Sequence, residues 1–236
     1  MTQEDSRPFV HVVAGVLVDA ADRVLIAQRP AGKHMAGGWE FPGGKLEPGE
    51  ERLGGLAREL REELGITLSG IPRPLIRVRH AYASREVLLD IWVVKRFSGE
   101  PRGLDGQALR WCTQDELATA DLLPADRTIV RALRLPERLT QVSSRDYNIR
   151  AAPLPRDRRA TEAIDNPSLH GVFCATVVEA VGAARVGADF LVMRQALEPG
   201  ELGGLCRLVA VPVFARGIEL EQAWASGASG LNEISE

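Results

Sequence analysis

The spacing of apolar and polar residues over the first 135 positions predicts a mixture of strands and helices. Short, largely apolar runs predict strands at 9–18, 23–29, 76–82, 85–97 and 108–112. Apolar residues that recur every three or four positions predict helices at 51–64, 114–119 and 126–135. Turn-forming residues separate the first two strands, which are therefore expected to form a hairpin. The glycine- and proline-rich stretch 36–50 is expected to be a structured loop.

The pattern changes after residue 135. Residues 136–168 are rich in proline and basic residues and are expected to form a linker or long loop, with a first strand at 146–151. Beyond this segment, strands at 170–176, 188–193, 209–216 and 228–235 alternate with helices at 176–187, 199–208 and 218–227. Such alternation is typical of βα units around a parallel sheet. Four parallel strands are expected, or five with 146–151.

Composition and charge argue against nucleic acid polymers and membranes as binding partners. The chain has 236 residues and a net charge of −3, so no strong field favours nucleic acid polymers or anionic membranes. No apolar run is long enough for a transmembrane helix, and the polar N-terminus lacks the apolar core of a signal peptide. Cys112, Cys174 and Cys206 are widely spaced and are expected to be buried and reduced. A cytoplasmic protein is expected.

The helix predicted at 51–64 carries an unusual acidic cluster. Glu59, Glu62 and Glu63 lie at i, i+3 and i+4 and therefore share one face. An apolar stripe lies beside this face and is formed by Leu53, Leu56, Ala57, Leu60 and Leu64. Two interpretations follow. The glutamates form a solvated face that Arg58 and Arg61 offset, or they bind a hard cation such as Mg²⁺, which prefers clustered oxygen ligands.

The loop before this helix favours the metal-binding interpretation. Gly44 is followed at fixed spacing by Glu50, by Arg58-Glu59-Leu60, by Glu62-Glu63 and by Gly65-Ile66. This pattern is identified as the Nudix box. Further segments, at 39–44, 99–101 and 123–126, resemble the MutT branch of Nudix hydrolases, which cut nucleoside triphosphates, notably 8-oxo-dGTP, to the monophosphate and pyrophosphate. The resemblance covers roughly residues 9–135, implies a Nudix domain over 1–135, and implies an α/β/α sandwich with a mixed sheet.

The resemblance also implies residue roles for the chemistry. Glu59, Glu62, Glu63 and the Gly44 carbonyl would bind Mg²⁺, or Mn²⁺ in its place. Glu50 would pair with Arg58 and orient the helix, and Asp105 would be a further metal ligand or the general base. Family members carry Glu at that position, and the shorter Asp changes its reach. Arg58, Glu59, Glu62 and Asp105 are therefore the catalytic candidates, with the base left open between Glu59 and Asp105.

A second group of residues is implied in substrate binding. Its members are Arg29, His34, Phe41, Ser84, Arg85 and Asp126. The prototype of the branch has Asn where this chain has Asp126. Asn offers a donor and an acceptor to the oxidised purine, whereas an ionised Asp only accepts hydrogen bonds. A protonated Asp126 would restore the donor, and burial favours that state by raising the pKa.

The C-terminal βα units resemble the thiamine-phosphate-synthase family, an eight-stranded (β/α) barrel. The similarity lies in 170–193 and 212–231, with a weaker match at 146–151. About a hundred residues are too few for a closed barrel, which takes 200 or more. An incomplete barrel over 169–236 is therefore expected, as a scaffold with a covered sheet edge or as a half completed by a second chain in a homodimer.

Three hypotheses follow for function. The leading one is an enzyme that removes oxidised purine triphosphates from the nucleotide pool and so prevents mutation. The nearest rival is a Nudix hydrolase of another nucleotide, such as a modified pyrimidine triphosphate. The third is a nucleotide-sensing module whose half-barrel contacts a partner, which the intact Glu59, Glu62 and Glu63 argue against.

Overall fold

The computed structural model describes residues 9–33, 35–81, 86–151 and 168–235. The chain folds into two compact units. The first unit ends at Val130, and the second begins at Arg131 and also takes in Pro74–Arg77.

The first unit is built from short strands and three helices. Its strands are β1 (Phe9–Leu17), β2 (Val24–Gln28), β3 (Trp39–Glu40), β4 (Gly43–Lys45), β5 (Thr67–Leu68), β6 (Arg73–Ala81), β7 (Glu86–Val94), β8 (Phe97–Ser98) and β9 (Leu109–Cys112). The helices are α1 (Arg52–Leu64), α2 (Gln114–Thr119) and α3 (Asp126–Ala132). A four-stranded sheet has the order β4-β1-β7-β6, and a three-stranded sheet has the order β3-β2-β9. The larger sheet is mixed, as expected, because β1 runs antiparallel to β4 and parallel to β7.

The prediction that the first two strands pair along their length as a hairpin is wrong. β1 and β2 belong to different sheets and share only the antiparallel bridge between Val18 and Val24. The reason is that a strand has two hydrogen-bonding edges. Both edges of β1 are taken, by β4 and β7, so that β2 pairs with β3 and β9 instead.

Helix α1 packs through its leucines. Leu56, Leu60 and Leu64 are fully buried in a core cluster with Val13 of β1 and Trp92 of β7. The predicted stripe is wrong at one position, because Leu53 is 39% exposed. The buried position in that turn belongs to Gly55, where a Cβ atom would collide with Leu46 and Glu50. The helix ends at Gly65, whose left-handed backbone, with φ of 71°, is the usual C-terminal stop.

The second unit is a parallel sheet with three helices between its strands. Its strands are β10 (Arg138–Leu139), β11 (Tyr147–Arg150), β12 (Leu169–Cys174), β13 (Phe190–Met193), β14 (Val213–Ala215) and β15 (Gly230–Asn232). Its helices are α4 (Val177–Val186), α5 (Pro199–Leu208) and α6 (Leu220–Ala225). The sheet has six strands in the order β10-β15-β14-β13-β12-β11, and every neighbouring pair is parallel. The expected count of four or five was low because β10, with two residues, is too short to leave a pattern.

Both edge strands of this sheet lie in the segment that the sequence marked as a linker. β10 pairs with β15, and the Leu231 amide donates to the Glu137 carbonyl at 2.9 Å. The outer edge of β11 is covered by its own chain, since the Ile149 amide donates to the Val142 carbonyl and the Ser144 amide to the Tyr147 carbonyl, each at 2.8 Å. In the described residues β10 and β11 are not paired with each other, so the sheet is an open half-barrel with one covered edge.

The two faces of the half-barrel carry separate cores. One face packs against the helices through small and aliphatic side chains, among them Ala180, Leu191 and Leu205. The other face holds an aromatic row in which the ring of Phe190 meets those of Tyr147 and Phe214 edge to face, at 5.9 and 5.7 Å between centroids. β13 is therefore buried on both faces, as its apolar composition predicts.

Two further expectations concern the chain as a whole. In the described residues no helix is long and apolar enough to cross a membrane. Cys112, Cys174 and Cys206 are all buried, and none of them forms a disulfide in the described structure, as expected.

Candidate active site

The glycine loop at β4 is in close contact with the acidic face of α1. The Gly43 amide donates to Glu63 Oε2 at 3.1 Å. Gly44 lies so close to Glu59 that a Cβ atom there would collide with the Glu59 carboxylate. These two contacts bring Gly44, Glu59 and Glu63 together, as the Nudix box predicts.

Arg58 organises the remaining carboxylates. Its Nε and Nη2 atoms donate to the two oxygens of Glu50, each at 2.8 Å, and Nη2 also donates to the Lys45 carbonyl at 3.0 Å. Nη1 donates to Glu59 at 2.9 Å and to Glu62 at 3.2 Å. The bonds from Arg58 lower the pKa of Glu50 to about 2, which keeps this carboxylate charged. Glu50 therefore fixes Arg58, and Arg58 holds two of the three helix glutamates.

Glu63 is the most deeply placed of the three glutamates. Burial, with smaller contributions from the negative charges of Glu59 and Glu40, raises its pKa to about 7 against the opposing effects of the Gly43 amide and Lys33. Glu59 is 14% exposed, whereas Glu62 is 54% exposed. The acidic face therefore includes two partly buried carboxyl groups, Glu59 and Glu63, and one exposed carboxyl group, Glu62.

This donor set fits a divalent cation. Nudix hydrolases as a family use divalent metal ions. In the described residues no three acidic, His or Cys side chains converge as a preformed metal site, and Arg58 and the Gly43 amide hold the glutamates instead. The chemistry of the donors nevertheless suits Mg²⁺ or Mn²⁺, because all are hard oxygens and two of the carboxylates repel each other beside a buried backbone turn. Glu59, Glu62, Glu63 and the Gly44 carbonyl are the groups that would hold the ion.

Asp105 lies on the loop between β8 and β9, and its role as a metal ligand or general base stays a prediction. Asp105 is exposed, and its carboxylate makes no hydrogen bond or ion pair in the described structure. Its loop is tied to α1 through the backbone, since the Leu104 amide and the Gln107 side chain both donate to the Glu63 carbonyl, at 2.9 and 3.2 Å. Gln107 was not among the predicted site residues. Its signal is weak, because a side chain that fixes a loop has no characteristic spacing.

A second group of polar residues lies beside β3. Arg29 follows β2, and its Nε donates to both oxygens of Glu40 at 2.9 and 2.8 Å. Asp126, the first residue of α3, is only 6% exposed and accepts a hydrogen bond from the Phe41 amide. Burial, and after it the charge of Glu40, raise the pKa of Asp126 to about 8 against the opposing effects of Arg29 and the Phe41 amide. We refer to Arg29, Glu40, Phe41 and Asp126 as the Asp126 cluster.

Of the six residues predicted to bind substrate, three lie within the described residues and three do not. Arg29, Phe41 and Asp126 are brought together in the Asp126 cluster. His34, Ser84 and Arg85 lie outside the described residues, and their roles stay predictions. Glu40 was quoted in the sequence only as part of a motif, although its position before Phe41 and opposite the end of β2 could have indicated a partner for Arg29.

The acidic helix behind a glycine loop is the arrangement of a phosphate-anhydride hydrolase of the Nudix type. A family model described as "NUDIX domain" matches residues 13–132. The chain therefore belongs to the Nudix family. The match ends close to the boundary between the two units, and the reported relatives also match about half of the chain.

Individual relatives carry two different names. The chain is 38% identical over 124 residues to the CTP pyrophosphohydrolase of Escherichia coli. The aligned region covers 52% of this chain and 90% of that protein. It is 33% identical over 125 residues to the 8-oxo-dGTP diphosphatase of E. coli, and this aligned region covers 53% of this chain and 96% of that protein. Among solved structures, the MutT protein from Methanosarcina mazei has a TM-score of 0.50 at 22% identity, covers 55% of this chain and 96% of its own, and supports the fold alone. The thiamine-phosphate-synthase resemblance of the second unit stays a prediction.

Proposed function

We propose that the first unit is a divalent-metal-dependent nucleoside triphosphate pyrophosphohydrolase whose preferred substrate is 8-oxo-dGTP. The products are 8-oxo-dGMP and pyrophosphate, and the role is to remove oxidised nucleotides before they enter DNA. The observation that carries this proposal is the contact of Gly44 with Glu59 and of Gly43 with Glu63, which assembles the Nudix box into a single site. The relative named 8-oxo-dGTP diphosphatase supports the substrate.

The residues would act as follows. Glu59, Glu62, Glu63 and the Gly44 carbonyl would hold a divalent ion, which when bound would neutralise the phosphate oxygens and lower the pKa of the attacking water. Glu50 fixes Arg58, and Arg58 keeps Glu59 and Glu62 at one side of the helix.

The general base is better assigned to Glu59 than to Asp105. Glu59 is a partly buried carboxylate held by Arg58 within the assembled site, whereas the Asp105 carboxylate is exposed. A positioned carboxylate can accept the proton of the attacking water.

A second candidate substrate is CTP or a modified pyrimidine triphosphate. One observation favours it, since the E. coli relative at 38% identity is named CTP pyrophosphohydrolase. The Asp126 cluster is compatible with either base. A neutral carboxyl group offers one donor and one acceptor, which pair with O6 and N7–H of 8-oxoguanine or with N3 and N4–H of cytosine.

The first expected result concerns base selection. We expect the wild-type protein to hydrolyse 8-oxo-dGTP with a higher kcat/KM than dGTP, and Asp126→Ala to reduce this ratio, because a site that pairs with N7–H rejects the base that lacks it. Pyrophosphate release measured with Mg²⁺ over a panel of normal and oxidised nucleoside triphosphates, with CTP included, tests both candidates. Equal rates for dGTP and 8-oxo-dGTP would remove the first candidate, and a higher kcat/KM for CTP would establish the second.

We further propose that the second unit is a scaffold without a separate activity. Its described residues form six parallel strands, whereas a closed barrel has eight. The unit also depends on residues from two distant parts of the chain. Leu135 belongs to its aromatic core, and the Ser229 hydroxyl donates to the Leu75 carbonyl at 2.8 Å.

Truncation tests this proposal. A chain ending at Leu135 contains the whole Nudix match and is expected to remain soluble and to retain nucleotide hydrolysis. Residues 136–236 expressed alone lack Leu75 and Leu135 and are expected to be poorly soluble, because an aromatic core and a hydrogen-bonding partner are exposed. Size-exclusion chromatography, with the intact chain as control, also reports whether the second unit forms a homodimer. A folded 136–236 monomer that synthesises thiamine phosphate would contradict the scaffold assignment.

A further inference from the structure

The short strand β3 fixes the geometry of the Asp126 cluster from both sides. On one side Ala27 of β2 pairs with Glu40, and the Arg29 amide donates to the Gly38 carbonyl at 2.9 Å. On the other side the Trp39 amide donates to Asp121 and the Trp39 carbonyl accepts from Leu123, at 3.0 and 2.9 Å. The 121–123 segment leads directly into α3, so the backbone delivers Arg29, Glu40 and Asp126 to one place.

This place holds two carboxyl groups and one guanidinium. Arg29 is committed to Glu40 by both carboxylate oxygens, and the two side chains are only 24% and 27% exposed. The charge of Arg29 is therefore balanced by Glu40. Asp126 is buried next to this pair with the Phe41 amide as a neutral donor. A buried second carboxyl group beside an already neutralised pair is more stable with its proton than without it.

We propose that Glu40 is a specificity-determining residue of the nucleotide site, and that it acts through the Asp126 carboxyl group without touching the base. The inference rests on the proposed function, in which Asp126 reads the base. Glu40 is thus a positioning residue for the proton of Asp126. Its own position is fixed by Arg29 and by the pairing of β3 with β2.

The proton on Asp126 decides which base edges can pair with it. The neutral carboxyl group donates once and accepts once, and so fits O6 with N7–H of 8-oxoguanine or N3 with N4–H of cytosine. At the same O6/N7 edge ordinary guanine presents two acceptors, so it leaves the carbonyl oxygen of the neutral carboxyl group without a donor, and the distinction between the two purines depends on this edge facing Asp126. The ionised group only accepts, and among these edges it fits the N1–H and N2–H donors that guanine and 8-oxoguanine share. Ionisation of Asp126 therefore removes the distinction between the two purines and weakens the match to cytosine.

The charges around Asp126 give the direction of each expected shift. The pKa of Asp126, raised to about 8, is the balance of burial and Glu40, which raise it, against Arg29 and the Phe41 amide, which lower it. Glu63 of α1 also lies within the field of Glu40, and Lys33 lies within that of Glu63. Removing the charge of Glu40 thus favours ionised Asp126, and removing the charge of Arg29 favours the neutral form.

The test is the pH dependence of a ratio of kcat/KM values. Both 8-oxo-dGTP and CTP are compared with dGTP from about pH 5.5 to about pH 9, so that ionisation of the triphosphate cancels. In the wild type the ratio for the preferred substrate should be high at low pH and fall as the pH rises through the pKa of Asp126. Glu40→Gln should move this fall to lower pH by about one unit, and Arg29→Gln should move it to higher pH. Gln at position 40 still accepts a hydrogen bond from Arg29, and circular dichroism checks that each variant is folded.

Asp126→Asn is the matched control. Asn presents a donor and an acceptor at every pH, so its ratio should not depend on pH, and adding Glu40→Gln to it should leave the ratio unchanged. The inference is overturned if the ratio falls at the same pH in Glu40→Gln as in the wild type. It is also overturned if Glu40→Gln changes the ratio by the same amount in the Asp126→Asn background as in the wild-type background. A wild-type ratio that is constant with pH while hydrolysis proceeds overturns it as well. Absence of pyrophosphate release from every triphosphate in the wild type instead overturns the proposed function itself.

Discussion

Glu63→Gln is expected to lower kcat by more than about 100-fold with little change in Tm, and Glu62→Gln is expected to act in the same way. Each change removes a charged ligand of the divalent ion, which should cost more than the roughly 10- to 100-fold typical of an outer-sphere partner. The fold should tolerate both. Gln at 63 still accepts a hydrogen bond from the Gly43 amide, and Glu62 is 54% exposed. Pyrophosphate release under saturating Mg²⁺ and thermal unfolding are the measurements.

Glu51→Gln is the matched control for these variants. Glu51 precedes α1, is exposed, and makes no side-chain cap, so that its replacement changes the helix charge without touching the site. Its turnover should equal that of the wild type. If Glu62→Gln and Glu63→Gln both retained normal turnover with saturating Mg²⁺, the metal-binding assignment of the helix would be wrong.

The two glycines of the loop are expected to fail in different ways when replaced by alanine. In Gly43→Ala the new methyl group meets backbone atoms, the Val13 carbonyl oxygen and Ala14 Cα of β1, which cannot move without disturbing the central sheet. A loss of stability of at least about 1–3 kcal/mol is expected. In Gly44→Ala the three atoms nearest to the methyl group all belong to the Glu59 carboxylate, the end of a flexible side chain. Glu59 can move aside, so the protein should stay folded and lose activity.

Thermal unfolding and pyrophosphate release separate the two outcomes. Gly54→Ala is the control within the same region, since a methyl group there meets nothing within 4 Å and alanine favours an exposed helix by about 0.5–1 kcal/mol over glycine. It should be slightly more stable than the wild type, with unchanged activity. Normal turnover in Gly44→Ala would show that the close approach of Gly44 to Glu59 does not contribute to catalysis.

The features that the sequence predicted well are those governed by local periodicity. The helix expected at 51–64 is α1 at Arg52–Leu64, and the spacing of Glu59 and Glu63 places both against the glycine loop. The alternation beyond residue 168 was also sufficient for a parallel sheet, because each strand there is separated from the next by its own helix.

The features that the sequence could not predict depend on non-local partners. The pairing of β2 depends on which edges of β1 are already occupied, and β10 exists as a strand only because β15 lies beside it. In the site, the pairing of Arg29 with Glu40 and the exposure of Asp105 depend on how separate loops are placed. A spacing rule within one segment contains no information about these contacts.

The position of β10 has a consequence for the order in which the protein folds during synthesis. Its hydrogen-bonding neighbour, β15, follows it by about ninety residues, with the Glu137 carbonyl accepting from the Leu231 amide. The strands between β11 and β15 can each be added next to the one before, as they leave the ribosome. β10 must wait for Gly230–Asn232, and the entropy of closing so long a loop makes this pairing a late step. The nascent chain therefore carries the unpaired edge of β10 through most of the translation of its unit, and this interval is when association with another nascent copy is most favoured.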